Sequence, residues 1–96
     1  MGSAVFMTTA KGGDAREAFI SAVREAQYDY GHAGYTGTIA EKDSFTVIPL
    51  AEGATPHDYA DQLIGKMDGR VNDKWGPAGC FDLGGGRYFF FGWASC

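Results

Sequence analysis

The sequence has little of what dedicated chemistry or an unusual environment requires. Cysteine occurs twice, at Cys80 and Cys96, and histidine twice, at His32 and His57. A secreted domain of this length usually carries more cysteine, so two thiols in a reducing cytosol are expected, and a Cys80–Cys96 disulfide is disfavoured. The sequence has no closely spaced cysteine and histidine ligands, no Gly-x-Ser-x-Gly elbow, no phosphate-binding loop and no dinucleotide fingerprint. It therefore assigns no catalytic residue, no metal and no cofactor. The eight basic residues are scattered from Lys11 to Arg87, and the net charge is -4. That balance argues against nucleic acid as a partner, because phosphate binding draws on clustered Lys and Arg. No apolar run approaches the roughly 18–20 residues of a membrane span. Residues 1–10 lack the basic start and apolar stretch of a signal peptide. A soluble cytoplasmic chain is the expectation.

What is present is one domain's worth of ordinary folding material. The 96 residues are 45% hydrophobic and 21% charged, which excludes a disordered chain. Residues 1–96 are expected to form a single domain. Aromatics reach 15% and glycines number 15, a combination that suits strands joined by tight turns.

The spacing predicts a first strand over 4–9. A helix follows over 14–30, with Asp14 as its cap and Glu17 completing a capping box. Ala15, Ala18, Phe19, Ala22, Val23, Ala26 and Tyr30 recur at helical spacing, and Gly31 ends the helix. Residues 36–41 and 44–50 read as a hairpin turning at 41–44, with Pro49 marking a strand end. A second helix is predicted near 56–68, opened by Pro56, with Tyr59, Ala60, Leu63, Ile64 and Met67 as its stripe. Residues 70–79 read as an irregular loop, and 80–83 and 87–94 as the last two strands. The expected architecture is α+β: a mainly antiparallel sheet of about five strands in the order β-α-β-β-α-β-β, with two helices on one face.

Two loops hold the candidate site residues. In YGHAGYTGT (30–38), His32 and Tyr35 could line a ligand pocket, and with Glu41 they could form an acid–base cluster. The plainer account is a glycine-shaped turn with a solvated histidine. In KWGPAG (74–79), Lys74 and Trp75 could form an anchor for a partner or a stacking platform, or Trp75 could fold back over the core. Cys80 fits a small core residue better than a nucleophile. The run 87–94 alternates Tyr88, Phe90 and Gly92 with Phe89, Phe91 and Trp93, apolar on both faces. Two helices on one face would leave the other bare, so a homo-oligomer through the sheet is expected.

The stretches YGHAGYTGTIAEK (30–42), DKWGPAG (73–79), FFFGWAS (89–95) and AREAF (15–19) resemble a family of small bacteriophage and actinobacterial proteins for which no activity is established. The resemblance implies a mobile-element protein in a bacterial cytoplasm and carries over no residue roles. Three functions stay open at this stage. One is a non-enzymatic binding module acting on a host protein or sequestering a small ligand. The others are a small enzyme using His32, Tyr35 and Glu41, and an assembly protein.

Overall fold

A computed structural model describes residues 2–32 and 34–96. Four strands and two helices are arranged as β1 (Ser3–Lys11), α1 (Ala15–Tyr30), β2 (Phe45–Val47), α2 (Pro56–Gly65), β3 (Ala78–Gly84) and β4 (Arg87–Ser95). The sheet order is β1-β4-β3-β2. β4 runs antiparallel to both β1 and β3, and β2 pairs parallel with β3. The chain is therefore α+β, with a four-stranded mixed sheet where about five mainly antiparallel strands were expected.

The missing strand is residues 36–41. Thr38 caps a single 3-10 turn, Ile39–Glu41, by accepting a hydrogen bond from the Ala40 N–H at 3.2 Å. Side chains that bond their own backbone compete with a sheet ladder, and here they win. The hairpin at 41–44 is lost with that strand, and β2 instead begins the β2-α2-β3 crossover that makes it parallel to β3. The local signals elsewhere act as their chemistry dictates. Asp14 caps α1, with its carboxylate accepting from the Glu17 N–H at 2.8 Å, and Gly31 closes the helix at a φ of 87°. Pro56 opens α2, which stops at Gly65, short of the expected 68.

The helices lie on opposite faces of the sheet, correcting the expectation of one face. α1 packs Ala18, Phe19, Ala22 and Ala26 against Phe6, Cys80, Phe90 and Ala94. α2 packs Ala60 and Leu63 against Ile48, Phe81, Phe89 and Phe91. Successive strand residues point to opposite faces, so Phe90 belongs to one core and Phe89 and Phe91 to the other. Connection handedness explains the split. The chain crosses the sheet from β1 to β2 through α1, then returns toward β3 through α2. Right-handed crossovers in opposite directions put their helices on opposite faces.

On the α1 face, Phe19, Phe45 and Phe90 form an aromatic triangle with centroids 5.1 to 6.0 Å apart. On the α2 face, Phe81 lies 5.5 Å from Tyr59 and 4.7 Å from Phe91. Gly79 makes room for this second core. A methyl group there would overlap the Phe91 ring and lie 2.8 Å from Cγ1 of Val71. Both faces of β4 are thus covered within one chain, so the sheet-face argument for an oligomer no longer applies. No helix among the described residues is long and apolar enough to cross a membrane.

Candidate functional site

The two loops singled out in the sequence lie side by side, joined by a lysine that sequence reasoning passed over. Lys42 follows the 3-10 turn and is only 3% exposed. Its Nζ donates to the carbonyl oxygens of Asp73, Lys74 and Gly76 at 3.2, 3.1 and 2.9 Å. An ammonium has three donors and no acceptor, so this arrangement uses its full capacity. Burial lowers the Lys42 pKa, and the nearby Asp73 carboxylate partly offsets that shift. The loop also braces itself: Asp73 Oδ1 accepts from the Trp75 N–H at 2.8 Å, and the Gly76 N–H donates to the Asp73 carbonyl at 2.9 Å.

The neighbouring loop is fixed by a chain of hydroxyls. Thr36 donates from its N–H at 3.3 Å and from its Oγ1 at 2.8 Å to Oε2 of Glu41. Thr36 Oγ1 also lies 2.8 Å from Thr38 Oγ1. Since the single Thr36 hydroxyl proton goes to Glu41, Thr38 donates to Thr36. Just before this chain, Tyr35 has a φ of 57°. Bulky residues rarely adopt that conformation, and such strain persists where the surroundings enforce it, commonly at binding sites.

These two supports present an aromatic platform. Trp75 is 63% exposed and Tyr35 is 50% exposed. Their ring centroids are 6.3 Å apart and nearly perpendicular, an edge-to-face pair. Lys74 Nζ lies 5.3 Å from the Trp75 ring centroid and donates to the Gly2 carbonyl at 3.3 Å. A shallow groove of about 430 Å³ adjoins the pair, lined by Ser3, Asn72, Asp73, Lys74, Trp75 and Trp93. Ser95, which pairs in register with Ser3, is buried, and its hydroxyl has no protein partner.

Of the candidate residues, the structure brings Tyr35, Lys74 and Trp75 together. His32 is exposed just past α1, and among the described residues no hydrogen bond ties it to Tyr35 or Glu41. The carboxylate proposed as its partner is engaged by Thr36. Trp75 does not fold back over the core. Cys80 is fully buried in the α1-side core, where desolvation pushes its thiol pKa up to about 11. A nucleophilic thiol needs the opposite shift. Among the described residues, no group of three or more His, Cys, Asp or Glu side chains gathers to hold a metal.

Lys42 was missed because a lone lysine before a strand reads as surface. The one available cue was its place inside the GYTGTIAEK stretch, directly after the glutamate that anchors Thr36. Comparison with family models, with curated proteins and with solved structures finds no match for this chain.

Proposed function

We propose that the chain is a non-enzymatic binding module of phage or mobile-element origin, working in a bacterial cytoplasm. It engages a host protein or a small ligand through the platform of Tyr35, Lys74 and Trp75. One observation carries this reading: a tryptophan left 63% exposed stands on a loop whose backbone is clamped by three bonds from a buried ammonium. A chain that only needed a surface turn would not bury a charge to fix it, since burying an ammonium costs several kcal/mol unless it is fully bonded. A loop held in place loses little conformational entropy on binding, and tryptophan and tyrosine dominate the energetic centres of interfaces.

The enzymatic alternative would need His32, Tyr35 and Glu41 in mutual contact, and the engagement of Glu41 by Thr36 favours the binding reading over it. Native mass spectrometry of the protein purified from its own host tests the proposal. Wild type is expected to retain a ligand or partner that Trp75→Ala loses. Trp75→Ala should stay folded, because its ring is exposed. Equal retention by both proteins would overturn the platform as the recognition surface. Self-association also belongs to this proposal, by a route other than the sheet face.

A further inference from the structure

We propose that β1 is a dimerisation strand. It pairs antiparallel with β1 of a second copy about a two-fold axis at Met7, joining two four-stranded sheets into one of eight strands. This interface does not depend on the aromatic platform.

Backbone direction favours this pairing. Gly2 and Cys96 exchange both their backbone hydrogen bonds at 3.2 Å, and the Gly12 N–H donates to the Gly86 carbonyl at 3.0 Å. The register between these ends runs from Ser3↔Ser95 to Lys11↔Arg87 without a bulge. Antiparallel ladders alternate bonded and non-bonded pairs, so the even-numbered residues of β1 bond to β4. The N–H and C=O groups of Ser3, Val5, Met7, Thr9 and Lys11 therefore point outward, where no further strand lies among the described residues. These positions are symmetric about Met7. A strand pairing with itself must set outward residues against outward residues. All nine residues overlap in a single such register: Ser3 with Lys11, Val5 with Thr9, and Met7 with its own mate. Natural edges are commonly blocked by proline, charge or bulges. β1 has none of these except Lys11 at its end.

Side-chain fit agrees with this register. Val5 is 42% exposed and Met7 half-buried, on the α2 side of the sheet, and pairing covers both. On the α1 side the same register opposes Ala4 to Ala10 and Phe6 to Thr8. These are the non-bonded pairs, in which side chains approach most closely, and each contains a small partner.

Charge is divided between the two ends of the edge. Two grooves of about 350 and 340 Å³ run between α1 and the open edge. Glu25 and Asp29 line the part beside Val5–Thr8, and Lys11 and Arg87 the part beside Thr9–Lys11. A two-fold reverses the partner along the strand, so the Lys11 and Arg87 end of each copy lies at the Asp29 end of the other, with Lys11 on the α2-side parity of Val5 and Met7 and Asp29 on α1. Glu25, which borders both grooves, faces its own mate near the axis. Lys74, held at the Gly2 carbonyl beside Ser3, comes to the end that receives the partner's Lys11, a second like-charge approach. A second copy therefore matches this edge in register and in side-chain fit.

Sedimentation at micromolar concentrations should give a species of twice the 10.3 kDa chain mass. Amide exchange should show Val5, Met7 and Thr9 protected in step with dimerisation, at least about tenfold slower than in dilute monomer. Thr9→Pro removes an outward donor and leaves the β4 ladder intact, so it should yield a folded monomer. Val5→Lys should do the same by placing charge on the edge. Three results would overturn the proposal: a monomer at hundreds of micromolar with unprotected amides at these positions, a dimer indifferent to both Thr9→Pro and Val5→Lys, or a monomer whose edge instead binds an extended basic peptide.

Discussion

Replacing Lys42 by methionine isolates the clamp beneath the platform. The substitution keeps the unbranched stem and removes only the ammonium. Three carbonyl oxygens, on Asp73, Lys74 and Gly76, then lose a donor at 3.2, 3.1 and 2.9 Å. A hydrogen bond from a charged donor contributes about 1.5–3 kcal/mol, so three together contribute roughly 4–9 kcal/mol. Desolvation of the ammonium, which also lowers its pKa, takes back several kcal/mol. The expected net loss is about 2–3 kcal/mol. For a domain of this size that lowers Tm by roughly 10–20 °C, at about 4–8 °C per kcal/mol. Urea denaturation followed by circular dichroism measures the loss, and the amide resonances of 73–76 report whether the loop has loosened. Lys74→Met is the control. It removes the ammonium above the exposed Trp75 ring and should change stability by less than about 1 kcal/mol. Linkage adds a second test. The unfolded chain holds the Lys42 proton up to about 10.5, and the folded chain releases it earlier, so the unfolded state binds more protons in that interval. Wild-type stability relative to Lys42→Met should therefore rise with pH between the lowered value and 10.5. A Lys42→Met protein within about 0.5 kcal/mol of wild type, with unmoved loop resonances, would refute the clamp.

Other expectations follow from the two cores and the charged surface. Gly79→Ala should cost about 3 kcal/mol or prevent folding, because the Phe91 ring occupies the methyl position; thermal denaturation decides it. Phe19→Ala should cost about 3–5 kcal/mol, since the ring packs on Phe45 and Phe90. Arg24→Ala on the exposed side of α1 should cost under about 0.5 kcal/mol, and equal losses in urea would put the helix on the wrong face. A thiol reagent at neutral pH should modify Cys96 at once and Cys80 only after denaturation, because Cys80 is buried and Cys96 exposed. The bidentate Asp68–Arg70 pair holds the Asp68 carboxyl down at about 2. Its contribution should be complete above about pH 4 and fade as pH falls toward 2, a loss absent from Asp68→Asn in acid titration.

Much of the fold was legible because its signals are local. Asp14, whose carboxylate accepts from the Glu17 N–H, and the alanine-rich stripe specify α1, Pro56 opens α2, and Gly84–Gly86 turn the last hairpin. The parts that were misread depend on partners far apart in the chain. Nothing within 36–41 shows that Thr38 and Glu41 will satisfy the backbone from their own side chains. Apolar alternation on both sides of β4 correctly implied cover on both faces, but periodicity does not say whether a second helix or a second chain supplies it. That follows from strand order, which no local pattern encodes. The site was half legible for the same reason. Tyr35, Lys74 and Trp75 stand out as aromatic and basic residues in glycine-rich loops, whereas Lys42 gains its meaning only from carbonyls more than thirty residues away.

The position of β4 constrains how the chain can be made. Among the described strands it alone bonds to two antiparallel neighbours, it contributes to both cores, and it follows the other elements in the chain. Until Arg87–Ser95 clear the ribosome, β1 has no partner strand, and neither α1 nor α2 has a complete surface to pack on. Until then the preceding elements lack their complete packing surfaces, with two amphipathic helices and an unpaired edge exposed. Completing the sheet requires β4 to insert between β1 and β3. Such long-range pairing is intrinsically slow. In the cell, the interval between synthesis and closure is when this protein is most exposed to proteases and chaperones.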